Sequence, residues 1–241
     1  MKRVDLDGRL RRHERCRAAV VHVGHERSPV LVIDDFLSDP AALVDFAASA
    51  SEFASTPDDF YPGIRAPTPP IYCFALRAFL GEAVSAAFGL DGSTIDRELS
   101  YLSLITRAPA SLHPLQRIPH TDGFESRKLA VLHYLCGAEH GGTSFYRHRR
   151  TGFETIPESR RAEYQRVVIA EFGPGTTLPE GYIQGDAPGF EQIASFDAAP
   201  NRVLVYRSIN LHSANIGRGF KFLADPRAGR LTVNTFWVYR S

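Results

Sequence analysis

The sequence predicts a mainly β protein with flanking helices, arranged as a sandwich or jelly roll. Two observations support this class. After Gly92, short segments rich in aliphatic, aromatic or threonine residues follow one another, and Gly, Pro, Asn or Asp lies between most of them. The predicted strands are 101–106, 129–135, 143–146, 190–196, 202–206 and 231–239.

The part before Gly92 is predicted to be largely helical. A short strand at 30–33 precedes a helix at 41–50, which Ser38 or Asp39 can cap and whose first turn contains Pro40. An irregular loop over 55–70 and a helix over 71–88 follow, and a further helix is predicted at 158–170. We expect a single domain over 1–241, with 30–90 as a helical support region and 100–240 as the β core.

Composition narrows the class of protein. Hydrophobic residues make up 44% and charged residues 23% of the chain, which is enough to form a normal core. The formal net charge of +1 provides no excess of positive charge for binding nucleic acid or an anionic membrane. The three cysteines form no CxxC pair and are expected to be free thiols in a reducing compartment. With no apolar leader and no run of 18 apolar residues, the expectation is a cytoplasmic protein without membrane contact.

A candidate metal site starts with His120-Thr121-Asp122. Residues two apart on an extended segment point to the same side, so both side chains can reach one cation. His212 is the best third ligand, because it follows the predicted strand 202–206 after a short connection. H-x-D alone is a weak signal, and a surface or core histidine is its ordinary explanation.

Two histidines and one carboxylate on one face of an octahedron leave three coordination positions open, as in the facial triad of non-haem Fe(II) oxygenases. Other histidines are assigned elsewhere. His133 lies within the predicted strand 129–135 and is interpreted as a packed or hydrogen-bonded residue, and His140 and His148 are assigned to solvated loops.

A candidate anion-binding pair lies on the last predicted strand. Alternation along 230–237 places Arg230, Thr232 and Asn234 on one face, and an arginine with a hydroxyl two residues later can hold a carboxylate. A strand with its polar side in solvent is the alternative explanation. Lys221 and Arg227 are weaker candidates, since both lie in the glycine- and charge-rich stretch 217–229.

Together these motifs resemble the 2-oxoglutarate/Fe(II)-dependent dioxygenase superfamily, and in particular its prolyl-hydroxylase-like branch. That pattern comprises an H-x-D motif, an arginine, a strand of the form L-x-Y-L-N, a GG turn, a second histidine and a basic residue that opens a late strand. The matching residues here, over about 30–240, are His120, Asp122, Arg127, Leu132 to Cys136, Gly141-Gly142, His212 and Arg230. Cys136 replaces the usual Asn, and the stretch 217–229 lengthens the gap from His212 to Arg230.

The resemblance implies a double-stranded β-helix (jelly roll) with the N-terminal helices packed outside it. It implies Fe(II) on His120, Asp122 and His212, and 2-oxoglutarate on Arg230 and Thr232. The implied reaction is hydroxylation of a C–H bond with release of succinate and CO2. The substrate, a small or amino-acid-like molecule, is not identified, although Phe60, Tyr61 and Arg65 are candidate wall residues. A zinc-dependent hydrolase and a non-catalytic jelly-roll binding protein are the alternatives.

Overall fold

The computed structural model describes residues 5–55, 60–176 and 178–240. Over these residues it contains two antiparallel sheets and three α-helices, so the protein is mainly β with flanking helices. The strands are β1 Arg17–Val23, β2 Ser28–Asp34, β3 Gly63–Pro67, β4 Ile95–Ile105, β5 Lys128–Tyr134, β6 Gly142–His148, β7 Phe190–Asp197, β8 Val203–Arg207, β9 His212–Asn215 and β10 Leu231–Tyr239. The helices are α1 Ala41–Ala50, α2 Pro70–Phe88 and α3 Glu158–Phe172.

A large sheet and a small sheet organise the strands. The large sheet has the order β1-β2-β8-β5-β10-β4-β3, and the small sheet has the order β7-β6-β9. Strands distant in sequence are therefore neighbours: β10 pairs on one side with β5 and on the other with β4. The finer arrangement as a double-stranded β-helix stays a prediction.

All six strands predicted after Gly92 are present, and so are the three predicted helices. The description of 30–90 as a helical support outside the sheets needs correction, because β2 and β3 from this stretch belong to the large sheet. β3 also lies in the predicted irregular loop 55–70, of which 56–59 fall outside the described residues. It was missed because Gly and Pro mark both of its ends, although it pairs with β4 over its full length.

The main hydrophobic core lies on one face of the large sheet, beneath α1 and α2. The side of α2 that faces it consists of residues about four apart, which is the helical repeat: Tyr72, Leu76, Leu80, Val84 and Phe88. The helix ends at Gly89, whose φ of +62° is a left-handed conformation that glycine adopts without strain.

Helix α2 is also long and apolar enough, by length and composition only, to cross a membrane. Its apolar side contributes to the core of the protein, and the core helix of a soluble protein meets the same criterion. The expectation that the protein has no membrane contact stays a prediction.

His133 is part of this core, as its position in a strand indicates. Its Nε2 lies 3.2 Å from Asn201 Oδ1 and its Nδ1 lies 3.1 Å from the Tyr72 hydroxyl. The Asn201 amide nitrogen donates to the Leu37 carbonyl, which fixes Oδ1 as the atom facing the ring. The imidazole therefore donates through Nε2. Because burial keeps the ring neutral, its Nδ1 accepts from the Tyr72 hydroxyl.

His148 corrects the prediction of a solvated loop. It lies in β6, is completely buried, and is hydrogen bonded to Thr151 Oγ1 at 2.9 Å and to Glu171 Oε2 at 3.1 Å. The flanking basic residues made this stretch resemble a loop, but every residue of β6 except Arg147 is buried.

The buried neutral His133 predicts an acid-sensitive stability. Burial lowers its pKa from 6.5 to about 4, and the hydrogen bond with Asn201 opposes this only in part. As the pH falls, the unfolded chain takes up the proton first. The stabilisation is therefore complete above about pH 6.5 and is lost as the pH falls toward 4, at about 1.4 kcal/mol per pH unit.

We expect urea unfolding to show that His133→Gln reduces the loss of unfolding free energy between pH 6.5 and 5 by about 2 kcal/mol relative to the unsubstituted protein. Comparing the two pH slopes removes the contributions of other histidines. Equal slopes would mean that His133 is not the titrating group.

Candidate metal centre and anion site

The backbone brings His120 and His212 together. Each residue donates its amide N–H to the carbonyl of the other, with both N–O distances at 2.9 Å. His212 begins β9, where it also pairs with Phe145 of β6. Residues directly opposite in an antiparallel pair project to the same face, and the two imidazole ring centroids are 4.5 Å apart.

Asp122 completes the cluster that the sequence predicts. Its amide donates to the Ser208 carbonyl at 2.8 Å, which holds the segment after His120 against the end of β8. Its Oδ1 lies 3.8 Å from His120 Nε2, and its Oδ2 lies 3.4 Å from His212 Nε2. One ligand atom from each of the three residues lies within 4.8 Å of the other two, an arrangement that could hold a metal ion.

A hydrogen bond orients the imidazole of His212. Its Nδ1 is 2.9 Å from the Asn210 carbonyl oxygen, which can only accept, so Nδ1 carries a proton. Nε2 is thereby left for a metal, which is the usual arrangement for metal-bound histidines. The ring of Tyr206 packs edge-on against the imidazole, with a centroid distance of 4.8 Å, and further restrains it.

The three side chains have unequal proton affinities. Burial and the neighbouring His212 lower the pKa of His120 to about 4, although 50% of its side-chain surface is exposed in the cavity. Burial alone would raise the pKa of Asp122, but the two imidazoles and Lys128 outweigh it and lower the value to about 2. The Asp122 carboxylate in turn raises the pKa of His212 against the effect of burial. At neutral pH His120 is therefore unprotonated and Asp122 ionised, as a divalent cation requires.

The cluster lines a cavity of about 560 Å³ between the two sheets. The large sheet contributes Ala130, Leu132 and Tyr206, and the small sheet contributes Thr143 and Ser213. Three residues proposed from the sequence as wall residues also line it, namely Phe60, Tyr61 and Arg65.

Arg230 lines the same cavity and is only 3% exposed. Its Nη2 donates to the Gly142 carbonyl at 3.0 Å, and the guanidinium carbon lies 5.4 Å from the centroid of the Tyr134 ring. Its Nε is buried without a hydrogen-bond partner, and no carboxylate among the described residues forms an ion pair with it. A buried cation without a counter-ion is costly, so this end of the cavity is suited to an anion.

The pair Gly141-Gly142 makes room for this arrangement. A Cβ on Gly141 would lie 1.9 Å from the Asn215 carbonyl oxygen, and one on Gly142 would lie 2.2 Å from the Phe196 carbonyl oxygen. Only glycine permits such close approach of neighbouring strands, and it brings the Gly142 carbonyl to Arg230. The sequence indicated the Gly141-Gly142 motif but not the hydrogen bond from Arg230 to the Gly142 carbonyl.

The predicted polar face of β10 is observed for Arg230 and Asn234 but not for Thr232. Leu231, Val233 and Trp237 pack in the main core, whereas Arg230 and Asn234 line the cavity. Thr232 is fully buried, is not among the cavity-lining residues, and donates its hydroxyl to Asn234 Oδ1 at 2.8 Å. Its shared role with Arg230 stays a prediction.

The two rival cations are outside the cavity lining. Arg227 forms an ion pair with Asp45 at 2.6 Å on the surface, and Lys221 is exposed. Sequence reasoning missed Lys128, Tyr182 and Tyr206 as cavity residues. For Lys128 a signal was present, since it shares the face of β5 that carries Ala130 and Leu132.

Comparison with known proteins gives a family for the chain. Residues 14–237 match the family of unknown function DUF6445, and the chain belongs to that family. Comparison with curated proteins finds no significant match.

The solved structures that match the chain share little sequence identity with it. The non-heme alpha-ketoglutarate-dependent epimerase SnoN from nogalamycin biosynthesis shares 10% identity, with a TM-score of 0.49 and coverage of 89% of this chain and 79% of that one. HygX from Streptomyces hygroscopicus, solved with nickel, 2-oxoglutarate and hygromycin B, shares 12% identity, with a TM-score of 0.46 and coverage of 88% and 84%. An N-substituted L-amino acid dioxygenase from Burkholderia ambifaria AMMD shares 13% identity, with a TM-score of 0.34 and coverage of 89% and 82%. These similarities are too distant to define a reaction for this chain.

Proposed function

We propose that this protein is a non-haem Fe(II)- and 2-oxoglutarate-dependent oxygenase that hydroxylates a C–H bond of its substrate. One observation carries the proposal: a His-Asp-His cluster and a buried arginine that forms no ion pair with any described carboxylate line the same cavity. His120, Asp122 and His212 would hold the metal, and Arg230 would bind the distal carboxylate of 2-oxoglutarate, with Thr232 as a supporting residue.

The chemistry of the cosubstrate fits this set of residues. Three protein ligands leave three positions open on an octahedral ion, enough for a bidentate 2-oxo acid and O2. The planar fork of an arginine binds a carboxylate through two donors, and Arg230 has both a free Nε and a guanidinium directed to the cavity. Bound Fe(II) would supply the activation of O2. In the balanced reaction, substrate, 2-oxoglutarate and O2 give hydroxylated substrate, succinate and CO2.

A zinc-dependent hydrolase is less well supported. Such an enzyme needs a general acid or base beside the metal-bound water. Among the described residues that line the cavity, the only carboxylate and the only histidines are the three proposed metal ligands, so no further carboxylate or imidazole is left to act as the base. The hydrolase would also leave Arg230 without a role.

Anaerobic calorimetric titration tests the proposal directly. We expect the Fe(II)-loaded protein to bind one 2-oxoglutarate per chain. Admission of O2 with ascorbate should then produce succinate slowly even without an added substrate, because ascorbate supplies the two electrons that reduce the second oxygen atom to water. Protein loaded with Zn(II) should bind 2-oxoglutarate but form no succinate, and His212→Ala should do neither. Absence of 2-oxoglutarate binding by the iron-loaded protein would refute the function.

A further inference from the structure

The cavity has two chemically different ends, and β10 runs from one end to the other. Arg230, Asn234 and Phe236 all line it. A strand advances about 3.4 Å per residue, so Arg230 and Phe236 lie about 20 Å apart along β10. The Arg230 end is assigned above to the cosubstrate, and the Phe236 end is left for another molecule.

Lys128 is the cation at the Phe236 end. Its Nζ lies 5.2 Å from the centroid of the Phe236 ring and donates to the backbone carbonyl of Asp122 at 2.5 Å. An ammonium group has three donors, and this carbonyl takes one. No carboxylate among the described residues forms an ion pair with Lys128. The lysine therefore presents unused donors to the cavity, next to a proposed metal ligand.

Apolar side chains surround this end. Leu99 pairs across β4 and β10 with Phe236 and is 57% exposed. Elsewhere in the cavity lining, Phe60 and Leu115 are 63% and 53% exposed. Large apolar side chains grouped around the opening of a polar cavity are characteristic of a binding surface for an apolar group.

The balance of charges in the cavity predicts the sign of the charge on the substrate. If the proposed function holds, Fe(II) and Arg230 contribute three positive charges, and Asp122 and 2-oxoglutarate contribute three negative charges. Two lining cations, Lys128 and Arg65, are outside this balance, and of the two only Lys128 lies at the Phe236 end. The remaining lining cation, Arg65, lies against the rings of Tyr61 and Tyr101 and is in register with Ser103 and Thr232, at the Arg230 end.

We propose that the substrate is an organic monoanion with an apolar body, whose carboxylate is bound by Lys128 while its apolar part packs against Leu99 and Phe236. This inference rests on the proposed function for its charge balance. One residual charge matches a carboxylate better than a phosphate monoester, which carries about −1.5 to −2 at neutral pH. A carboxylate on Lys128 would also lie beside Asp122, and so place neighbouring C–H bonds near the proposed metal.

Three probes that share a phenylalkyl body and differ in their polar group test the proposal. Calorimetry with 4-phenylbutanoate, 4-phenylbutanamide and 4-phenylbutylamine would use Zn(II)-loaded protein saturated with 2-oxoglutarate, so that Arg230 is occupied. We expect the carboxylate to bind at least about 10-fold more tightly than the amide, and the amine to bind most weakly. Equal affinity for the carboxylate and the amide would overturn the proposal, whatever the behaviour of the variants.

Two variants of Lys128 and one control variant test whether Lys128 causes the carboxylate preference. Lys128→Met keeps an unbranched apolar stem and should remove the carboxylate preference, whereas Lys128→Arg should retain it. Lys221→Met, the same change on an exposed loop, should have no effect. A carboxylate preference that persists in Lys128→Met would refute the assignment. If 2-oxoglutarate fails to bind but the Lys128-dependent preference is present, the anion site stands and only the proposed function fails.

Discussion

Replacing Asp122 with Ala is expected to abolish high-affinity Fe(II) binding. The substitution removes the only negative charge of the cluster and leaves two imidazoles 4.5 Å apart, whose lone pairs alone must hold the ion. Loss of residues that merely support metal ligands typically costs 10- to 100-fold in affinity. Loss of the anionic ligand itself should cost more than about 100-fold. Anaerobic titration of Fe(II) with a competing chelator measures the change.

Two controls separate this effect from unfolding. Asp122→Asn keeps the size of the side chain and removes its charge, so it should weaken iron binding while leaving the thermal unfolding temperature nearly unchanged. Asp91→Ala alters an exposed carboxylate after α2 and should leave iron binding as it was. Unchanged iron stoichiometry and affinity in Asp122→Ala would show that the cluster is not the metal site.

Replacing Arg230 with Ala should raise the dissociation constant of 2-oxoglutarate by about 30-fold or more. Truncating one partner of a buried charge pair costs about 2–5 kcal/mol, and each 1.4 kcal/mol is about tenfold. Fe(II) binding should survive, because the three proposed ligands His120, Asp122 and His212 are unchanged. Calorimetric titration of 2-oxoglutarate into the iron-loaded variant, under anaerobic conditions, gives the value.

Three further variants test whether the effect belongs to Arg230. Thr232→Val keeps the shape and removes one hydroxyl, with an expected cost of about 1 kcal/mol, or about fivefold. Lys221→Ala and Arg227→Ala should change little, since both side chains are on the surface and Arg227 pairs with Asp45. If either loop variant abolished binding while Arg230→Ala did not, the distal carboxylate would be held at the loop.

Much of the fold could be predicted because local patterns determine it. The alternation along β10 and the helical spacing along α2 each reflect one buried face, and both are visible without knowledge of the neighbours. The grouping of His120, Asp122 and His212 was predicted in the same way, from the two-residue spacing of an extended segment and a strand that ends near His212.

Features that depend on long-range pairing could not be predicted. β1 is exposed along most of its length and has no alternating apolar pattern, yet it pairs with β2. The acceptor for Arg230 is a backbone carbonyl, that of Gly142, and no side-chain pattern identifies a carbonyl. For Lys128, the two-residue repeat of β5 indicates its face, but its position beside Phe236 depends on the register of β5 and β10.

The mutual backbone hydrogen bonds between His120 and His212 have a consequence for how the chain acquires a metal. Because peptide groups rather than an ion join these two segments, the entropy of positioning both imidazoles is lost during folding. In small zinc domains, by contrast, metal binding supplies the free energy of folding. Here two backbone hydrogen bonds hold the proposed ligand residues together without the help of an ion, so we expect binding and release of the proposed metal to leave the tertiary structure intact.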